Sequence, residues 1–192
     1  VEKIYASKKV ILSAGGMSYP ALGANGSGYK LAQSLSHELI KPVPAALPLV
    51  SKNPLSHALQ RIKMEIEVTS VINNEEIKTT KDDVMFTKYG FSGPAILNVS
   101  RELTIHFNRE EKSNASIRLN FFPGKNSNEV LELLESRWNK RPNQSIEKSL
   151  FGIFPNKMPG VLLRLLNINK DAKVSSLSKE TKILVANKLT KW

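Results

Sequence analysis

Hydrophobic and polar positions change their period twice along the chain. Near the N-terminus, Ile4-Tyr5-Ala6 and Lys9-Val10-Ile11-Leu12 gather β-branched and apolar residues, which predicts a buried strand. A glycine-rich turn follows, Ser13-Ala14-Gly15-Gly16, then Met17-Ser18-Tyr19-Pro20 and glycines at 23, 26 and 28. Helical spacing resumes through Tyr29, Leu31, Ala32 and Leu35 and ends near His37. Pro42, Pro44 and Pro48 punctuate an extended connector that no helix crosses, so a first domain is expected over residues 1–48.

The middle third alternates. Ile62, Met64, Ile66 and Val68 interleave with Lys63, Glu65, Glu67 and Thr69, the period of a strand with one wet face. Asn73-Asn74 reads as a turn into Ile77-Lys78-Thr79-Thr80. Leu103, Ile105 and Phe107 repeat the alternation, as do Ile117, Leu119 and Phe121. Several short strands with turns between them predict a small barrel or sandwich over residues 49–122. Within it, Pro94 suits the first turn of a short helix running into Ala95-Ile96-Leu97.

The last third, residues 123–192, is helical. Asn126 followed by Glu129 predicts a capping box, with Val130, Leu131, Leu134 and Trp138 as one apolar stripe. Pro159 is expected to open a second helix through Val161, Leu162, Leu165 and Leu166. A third follows Ser178, with Leu184, Val185, Ala186 and Leu189 facing inward. The fold class is therefore α+β, a small β-barrel part and an all-α part preceded by a strand, glycine-rich turn and helix.

Composition narrows the classes. The 192 residues contain 41% hydrophobic and 23% charged positions, a globular balance with enough material for a core. No apolar run approaches the roughly 18 residues of a membrane span. No secretion signal is expected, because the start reads as a strand. Without cysteine, disulfides, thiolate zinc sites and cysteine nucleophiles are excluded, and a cytoplasmic location is expected. The net charge of +11 is uneven: +4 over residues 1–52, zero over 53–124 and +7 over 125–192. A basic C-terminal third suits either a solvated helical surface or a face for nucleic acid or an acidic partner.

Candidate chemistry centres on the glycines. Glycine lets backbone N–H groups approach a phosphate or a planar ring, and a helix N-terminus favours the anion. A phosphate-binding Lys is absent at position 29, where Tyr29 stands, and Leu31 occupies the last small position of a dinucleotide fingerprint begun at Gly26. Spacing alone leaves tight turns and a ligand site equally open. His37, His57 and His106 are scattered, and His106 is expected on the exposed face of a strand. Asp82 and Asp83, adjacent in a strand, point to opposite faces and make no metal pair. Three glycosylation-like triplets, at Asn98, Asn114 and Asn143, lack a secretion signal, and no serine has a recognisable base.

Two longer segments carry a resemblance. Val10-Ile11-Leu12-Ser13-Ala14-Gly15-Gly16-Met17-Ser18-Tyr19-Pro20, then Gly23, Gly26 and Gly28-Tyr29, resembles the ATGG-x-SYP-x-x-G-x-x-G-x-GY signature of the HI-0933-like (YhiN-type) FAD-dependent flavoproteins. Phe86-Thr87-Lys88-Tyr89-Gly90-Phe91-Ser92-Gly93-Pro94-Ala95-Ile96-Leu97 is similar to that family's FTHxGLSGPAIL. Ser13, Ala14, Ser27 and Lys88 depart from the usual residues. The likeness continues through Asn143-Gln144-Ser145-Ile146 and from Leu177-Ser178 to Trp192.

The resemblance implies an excised middle piece of a larger FAD-dependent oxidoreductase of unknown small-molecule substrate. It implies a barrel insert and an all-α insert likened to helix–two-turn–helix modules. FAD would belong to the full-length parent, and the fragment alone would be colourless and inactive. Ala14, Gly15 and Gly16 would lie along the cofactor, with Tyr19, Pro20, Gly23, Gly26, Gly28 and Tyr29 nearby. Ser92 and Gly93 would face the substrate side. No metal and no membrane partner is implied. The alternative function is a basic barrel and helical module that engages nucleic acid or an acidic partner.

Overall fold

The computed structural model describes residues 3–109 and 114–192. The chain divides into two compact units, the first ending at Pro44 and the second beginning at Ala45.

In the first unit the expected strand is absent: residues 3–16 carry no helix or strand, and Ile11 is 90% exposed. β-branched sequence makes a strand only where a neighbour takes its backbone N–H and C=O groups. No described strand lies beside this one. Pro20–Leu22 forms one 3-10 turn, closed when the Gly23 N–H donates to the Pro20 carbonyl at 3.0 Å. Helix α1 then spans Ser27–Ser34, three residues short of His37. Ser36 enters the left-handed region at φ 66°, and the His37 N–H donates back to the Ala32 carbonyl at 3.1 Å, which stops the helix. Its Leu31, one of the residues of the expected helical spacing, is exposed.

The second unit is a five-stranded antiparallel half-barrel with helices. Its elements are β1 (Leu49–Val50), α2 (Pro54–Ala58), β2 (Lys63–Ile72), β3 (Glu75–Phe86), β4 (Gly90–Ser92), α3 (Pro94–Arg109) and β5 (Ala115–Asn120). Strand order is β1-β4-β3-β2-β5. The β2–β3 hairpin turns at Asn73 and Asn74, whose φ angles of 51° and 69° match the twist of the strands. Alternation puts Ile66, Val68, Val84, Phe86 and Leu119 in the core, where α3 crosses β2 and β3 with Ile96 and Val99. On the wet face, the Lys63 ammonium meets Asp83 at 2.8 Å, and that hydrogen bond raises the lysine pKa.

Helix α3 corrects two expectations. Leu103, Ile105 and Phe107 belong to it and not to a strand; Leu103 is buried and Phe107 is 61% exposed. On a helix the three alternating residues share no face, because a two-residue step turns roughly 200°; the buried stripe runs instead through Ile96, Val99, Leu103 and His106. His106 is accordingly 2% exposed rather than on a wet face, its ring 5.9 Å from that of Phe107.

The remaining elements are α4 (Ser127–Lys140), α5 (Ile146–Ser149), α6 (Lys157–Leu165) and α7 (Lys179–Thr190). Both halves of the capping box form at α4: Asn126 Oδ1 accepts from the Glu129 N–H at 3.1 Å, and Glu129 Oε2 accepts from the Asn126 N–H at 2.7 Å. Val130, Leu134 and Trp138 are buried, and the Trp138 indole N–H donates to Ser149 Oγ on α5 at 2.9 Å. Helix α6 begins two residues before Pro159, which a first turn tolerates. Ser178 caps α7, with its Oγ accepting from the Thr181 N–H at 3.2 Å. Val185, Ala186 and Leu189 face inward as expected, but Leu184 is 40% exposed. It lies roughly 100° around the helix from Val185, outside the buried arc.

The helical part joins the sheet at β5. Leu119 and Trp192 exchange both backbone hydrogen bonds at 3.0 Å, and the Phe121 N–H donates to the Leu189 carbonyl at 2.8 Å. No helix of the described residues is long and apolar enough to cross a membrane.

Candidate functional site

The glycine-rich segment of the first unit folds around Tyr29, Met17 and Ala14. Gly26 caps α1 in the left-handed region at φ 73°, and a Cβ there would sit 2.9 Å from Met17 Cγ and 3.2 Å from Tyr29 Cδ2. An alanine would therefore meet both strain and neighbours. Gly16 approaches the Tyr29 hydroxyl, and the buried Gly28 approaches Ala14, each at 2.9 Å for an ideal Cβ. Gly15 and Gly23 differ, because nothing lies within 4 Å of theirs. Ala14, Tyr19 and Pro20 are exposed and Tyr29 is half-buried.

This geometry fits one part of FAD and not another. A planar ring or sugar could lie against the open backbone at Gly15 and Gly23, where no side chain stands in the way. A pyrophosphate needs free N–H groups at the start of a helix. Here the Ser27 N–H donates to Asn25 Oδ1 and the Tyr29 N–H to the Gly26 carbonyl, both at 3.0 Å. Two N–H groups at the start of α1 are thus taken up within the chain itself.

Ser92 and Gly93 lie in the second unit, at the junction of β4 and α3. Thr87 closes the preceding β3–β4 turn: its Oγ1 accepts from the Gly90 N–H at 3.1 Å. Phe86 and Phe91 pack edge to face at 5.6 Å in the core. Ser92 is half-buried and paired with Met85. Gly93, at φ 100°, turns the chain from strand to helix, and its carbonyl accepts the Leu97 N–H at 3.0 Å. A Cβ there would lie 2.5 Å from the Asp83 carbonyl oxygen and 3.1 Å from the Met85 nitrogen, so β3 itself excludes a side chain. The segment's residues are those that a tight hairpin, a sharp corner and a buried helix start require. Lys88 reaches over the Tyr89 ring, its Nζ 5.5 Å from the centroid, at the exposed tip.

A third feature is one that the sequence reading does not single out as a site. Arg137, Lys140 and Arg141 at the end of α4 line a groove of about 440 Å³ with Leu133, Ser136 and Ile153 and no acidic residue. Arg137 is pinned, donating through Nε to the Ser149 carbonyl and through an Nη to the Phe151 carbonyl, each at 2.6 Å. The recurrence of basic residues three and four positions apart is the available signal. At the C-terminus, by contrast, the pairs Lys179 with Lys182 and Lys188 with Lys191, whose i, i+3 spacing suggests a basic stripe, do not share one face. Nine residues separate Lys179 from Lys188, which is about half a turn around the helix. Among the described residues no three His, Asp or Glu side chains cluster to hold a metal.

Comparison with known proteins adds the following. A family model described as HI0933-like protein barrel and H2TH domain matches residues 43–192. The chain is 30% identical over 176 residues to a 3-dehydro-bile acid delta(4,6)-reductase of Clostridium scindens, covering 90% of this chain and 42% of that protein. It is 27% identical over 182 residues to a ribosomal RNA dihydrouridine synthase of Escherichia coli, covering 89% and 42%. A protein of the same description from Haemophilus influenzae is 25% identical over 174 residues, covering 90% and 39%. The chain thus spans about two fifths of the length of the curated relatives it matches.

Proposed function

This chain belongs to the HI0933-like barrel and H2TH domain family, and we propose on that premise that it is the barrel and helical region of an FAD-dependent oxidoreductase. The family match over residues 43–192 carries the reading, together with the glycine signature that precedes it. The relatives' names describe a delta(4,6)-reductase of 3-dehydro-bile acids and a synthase of dihydrouridine in ribosomal RNA. Each double bond reduced in such a reaction takes up two electrons and two protons, and in both compounds the bond is conjugated with a carbonyl. The substrate class proposed here is the same.

FAD, when bound, supplies two-electron transfer. Ala14, Gly15 and Gly16 would lie along it, with Gly15 and Gly23 offering open backbone and Tyr19, Pro20, Gly26, Gly28 and Tyr29 shaping the loop around them. Ser92 and Gly93 would lie toward the substrate, set by the rigid β4–α3 corner. No described side chain is assigned as proton donor, and the chain by itself is expected to be inactive. The test is anaerobic: the full-length polypeptide, chemically reduced, is mixed with a conjugated steroid ketone, with uridine-containing RNA and with a saturated ketone. Flavin reoxidation by an unsaturated acceptor supports the reading; oxygen as the sole effective oxidant would overturn it.

A second reading concerns the helical part. The acid-free groove of Arg137, Lys140 and Arg141 and the similarity to ribosomal RNA enzymes favour contact with RNA phosphates. Binding would be weak and independent of sequence, because no row of aromatic side chains accompanies the cations. Replacing Lys140 and Arg141 by alanine should lower the slope of log affinity against log salt by about 1.4 for single-stranded RNA. An unchanged slope in polarisation titrations would dismiss this groove.

A further inference from the structure

The half-barrel leaves a groove between its two edge strands, and we propose that a further strand of the same polypeptide, continuing from Trp192 and antiparallel to β5, fills it and closes the barrel. The inference rests on the reading of the chain as part of a longer protein. Strand order makes β1 and β5 the edges of the sheet. A groove of about 350 Å³ is lined from both of them, by Val50 on one side and by Ile117, Leu119 and Trp192 on the other, with Phe91 and Phe107 from β4 and α3. Val50 is 86% exposed and Phe107 61%, an unusual face for residues lining the mouth of a barrel core.

The hydrogen bonding sets the direction. Leu119 and Trp192 donate to each other's carbonyls at 3.0 Å, the closed pair of an antiparallel ladder. That pair fixes the outward side of β5. In an antiparallel strand alternate residues face the same neighbour, so Ala115 and Ile117 turn their N–H and C=O groups outward with Leu119, away from β2. On the other edge, the Ser51 N–H donates to the Tyr89 carbonyl at 2.9 Å, which by the same alternation turns the backbone of Val50 outward. Trp192 is thus the first rung of a ladder whose next two rungs are Ile117 and Ala115.

Register then predicts the occupant's chemistry. Directly opposed residues point to the same face, so the residue two positions beyond Trp192 would lie opposite Ile117 and share its groove face. The residue four beyond would lie opposite Ala115. An extended segment with apolar residues at those two positions fits, its intervening side chains pointing to solvent. The relatives are long enough to contain it, since the chain covers only 42% of the Clostridium scindens protein and 42% of the Escherichia coli protein. Closure would also remove two open edges that otherwise invite pairing between molecules.

Hydrogen exchange of the unmodified protein tests this. The amides of Ala115 and Ile117 are compared in residues 1–192 and in the full-length polypeptide at several concentrations. Both should exchange at least about 100-fold more slowly in the full-length form, at all concentrations. A second arm uses Ile117→Pro, which removes an outward N–H and leaves the inward bonds of Ser116 and Arg118 in place. The fall in Tm should be at least twice as large in the full-length form as in residues 1–192. Equal exchange in the two forms overturns the proposal even where the full-length protein binds FAD. Protection in residues 1–192 that grows with concentration overturns it in favour of a second copy at the same edge. A reading frame that stops at Trp192 overturns both this proposal and the reading on which it rests.

Discussion

Gly93→Ala separates what the β4–α3 corner does for folding from what it does for chemistry. The residue sits at φ 100°, outside the regions a side chain prefers, and an added Cβ would stand 2.5 Å from the Asp83 carbonyl oxygen. Left-handed strain in a non-glycine residue costs about 1–2 kcal/mol. The collision is with the backbone of a central strand, which cannot rotate away, and overpacking of that kind adds about 1–3 kcal/mol. A total near 3 kcal/mol corresponds to a fall in Tm of about 6–12 °C for a chain of this size. Gly152→Ala is the control: φ is 80° and nothing lies within 4 Å, so only the conformational strain applies. Urea unfolding followed through the buried Trp138 measures both variants. Gly93→Ala should exceed the control by about 1–3 kcal/mol. Equal losses would show that the corner relaxes freely and that β3 does not hold it.

Other consequences follow from single contacts. Asn126→Ala removes the acceptor for two N–H groups of α4 and should cost about 1 kcal/mol in the same unfolding assay. Trp138→Phe leaves the buried Ser149 hydroxyl without its indole donor and should cost about 1–3 kcal/mol, read by circular dichroism in urea. The Glu180 carboxyl is held below its ordinary 4.5 by its own backbone N–H and then by the Ser178 hydroxyl. Its contribution is present above the unfolded value and lost as pH falls through the folded one, so Glu180→Gln should flatten the acid limb of Tm against pH. Gly16→Val, whose Cβ would already press on the Tyr29 hydroxyl, should lower the flavin content of the full-length protein while the second unit stays folded. Full flavin occupancy in that variant would reduce Gly16 to a turn residue.

The sequence is most legible where one local interaction decides the outcome. The capping box at Asn126 and Glu129, the Asn73-Asn74 turn and the Ser178 cap each need only a few neighbouring residues. It misleads where tertiary partners decide. Lys9 to Leu12 has strand composition but no described partner, and three alternating apolar residues of α3 imitate a strand because only Leu103 of them belongs to the buried helical stripe while Phe107 is an exposed apolar residue. That same alternation misplaces His106. Helices α2 and α5 and strands β1 and β4, each of two to five residues, are too short for any period to show. The second signature segment is visible in full, yet its dominant role as hairpin, corner and helix start emerges only once Asp83 and Met85 are seen against Gly93. The groove beside Arg137 needs the α4–α5 packing to bring Ile153 across from Lys140.

Flavin stoichiometry tests the central claim most directly. The full-length polypeptide and residues 1–192 are purified in parallel, titrated with FAD and read by visible absorbance and equilibrium dialysis. The account predicts about one FAD per full-length chain, retained through gel filtration, and colourless residues 1–192, because the α1 start spends its Ser27 and Tyr29 N–H groups within the chain and leaves the pyrophosphate to be held by other parts of the full-length protein. A full-length protein that stays colourless in excess FAD would contradict it, and so would a stoichiometric yellow complex of residues 1–192.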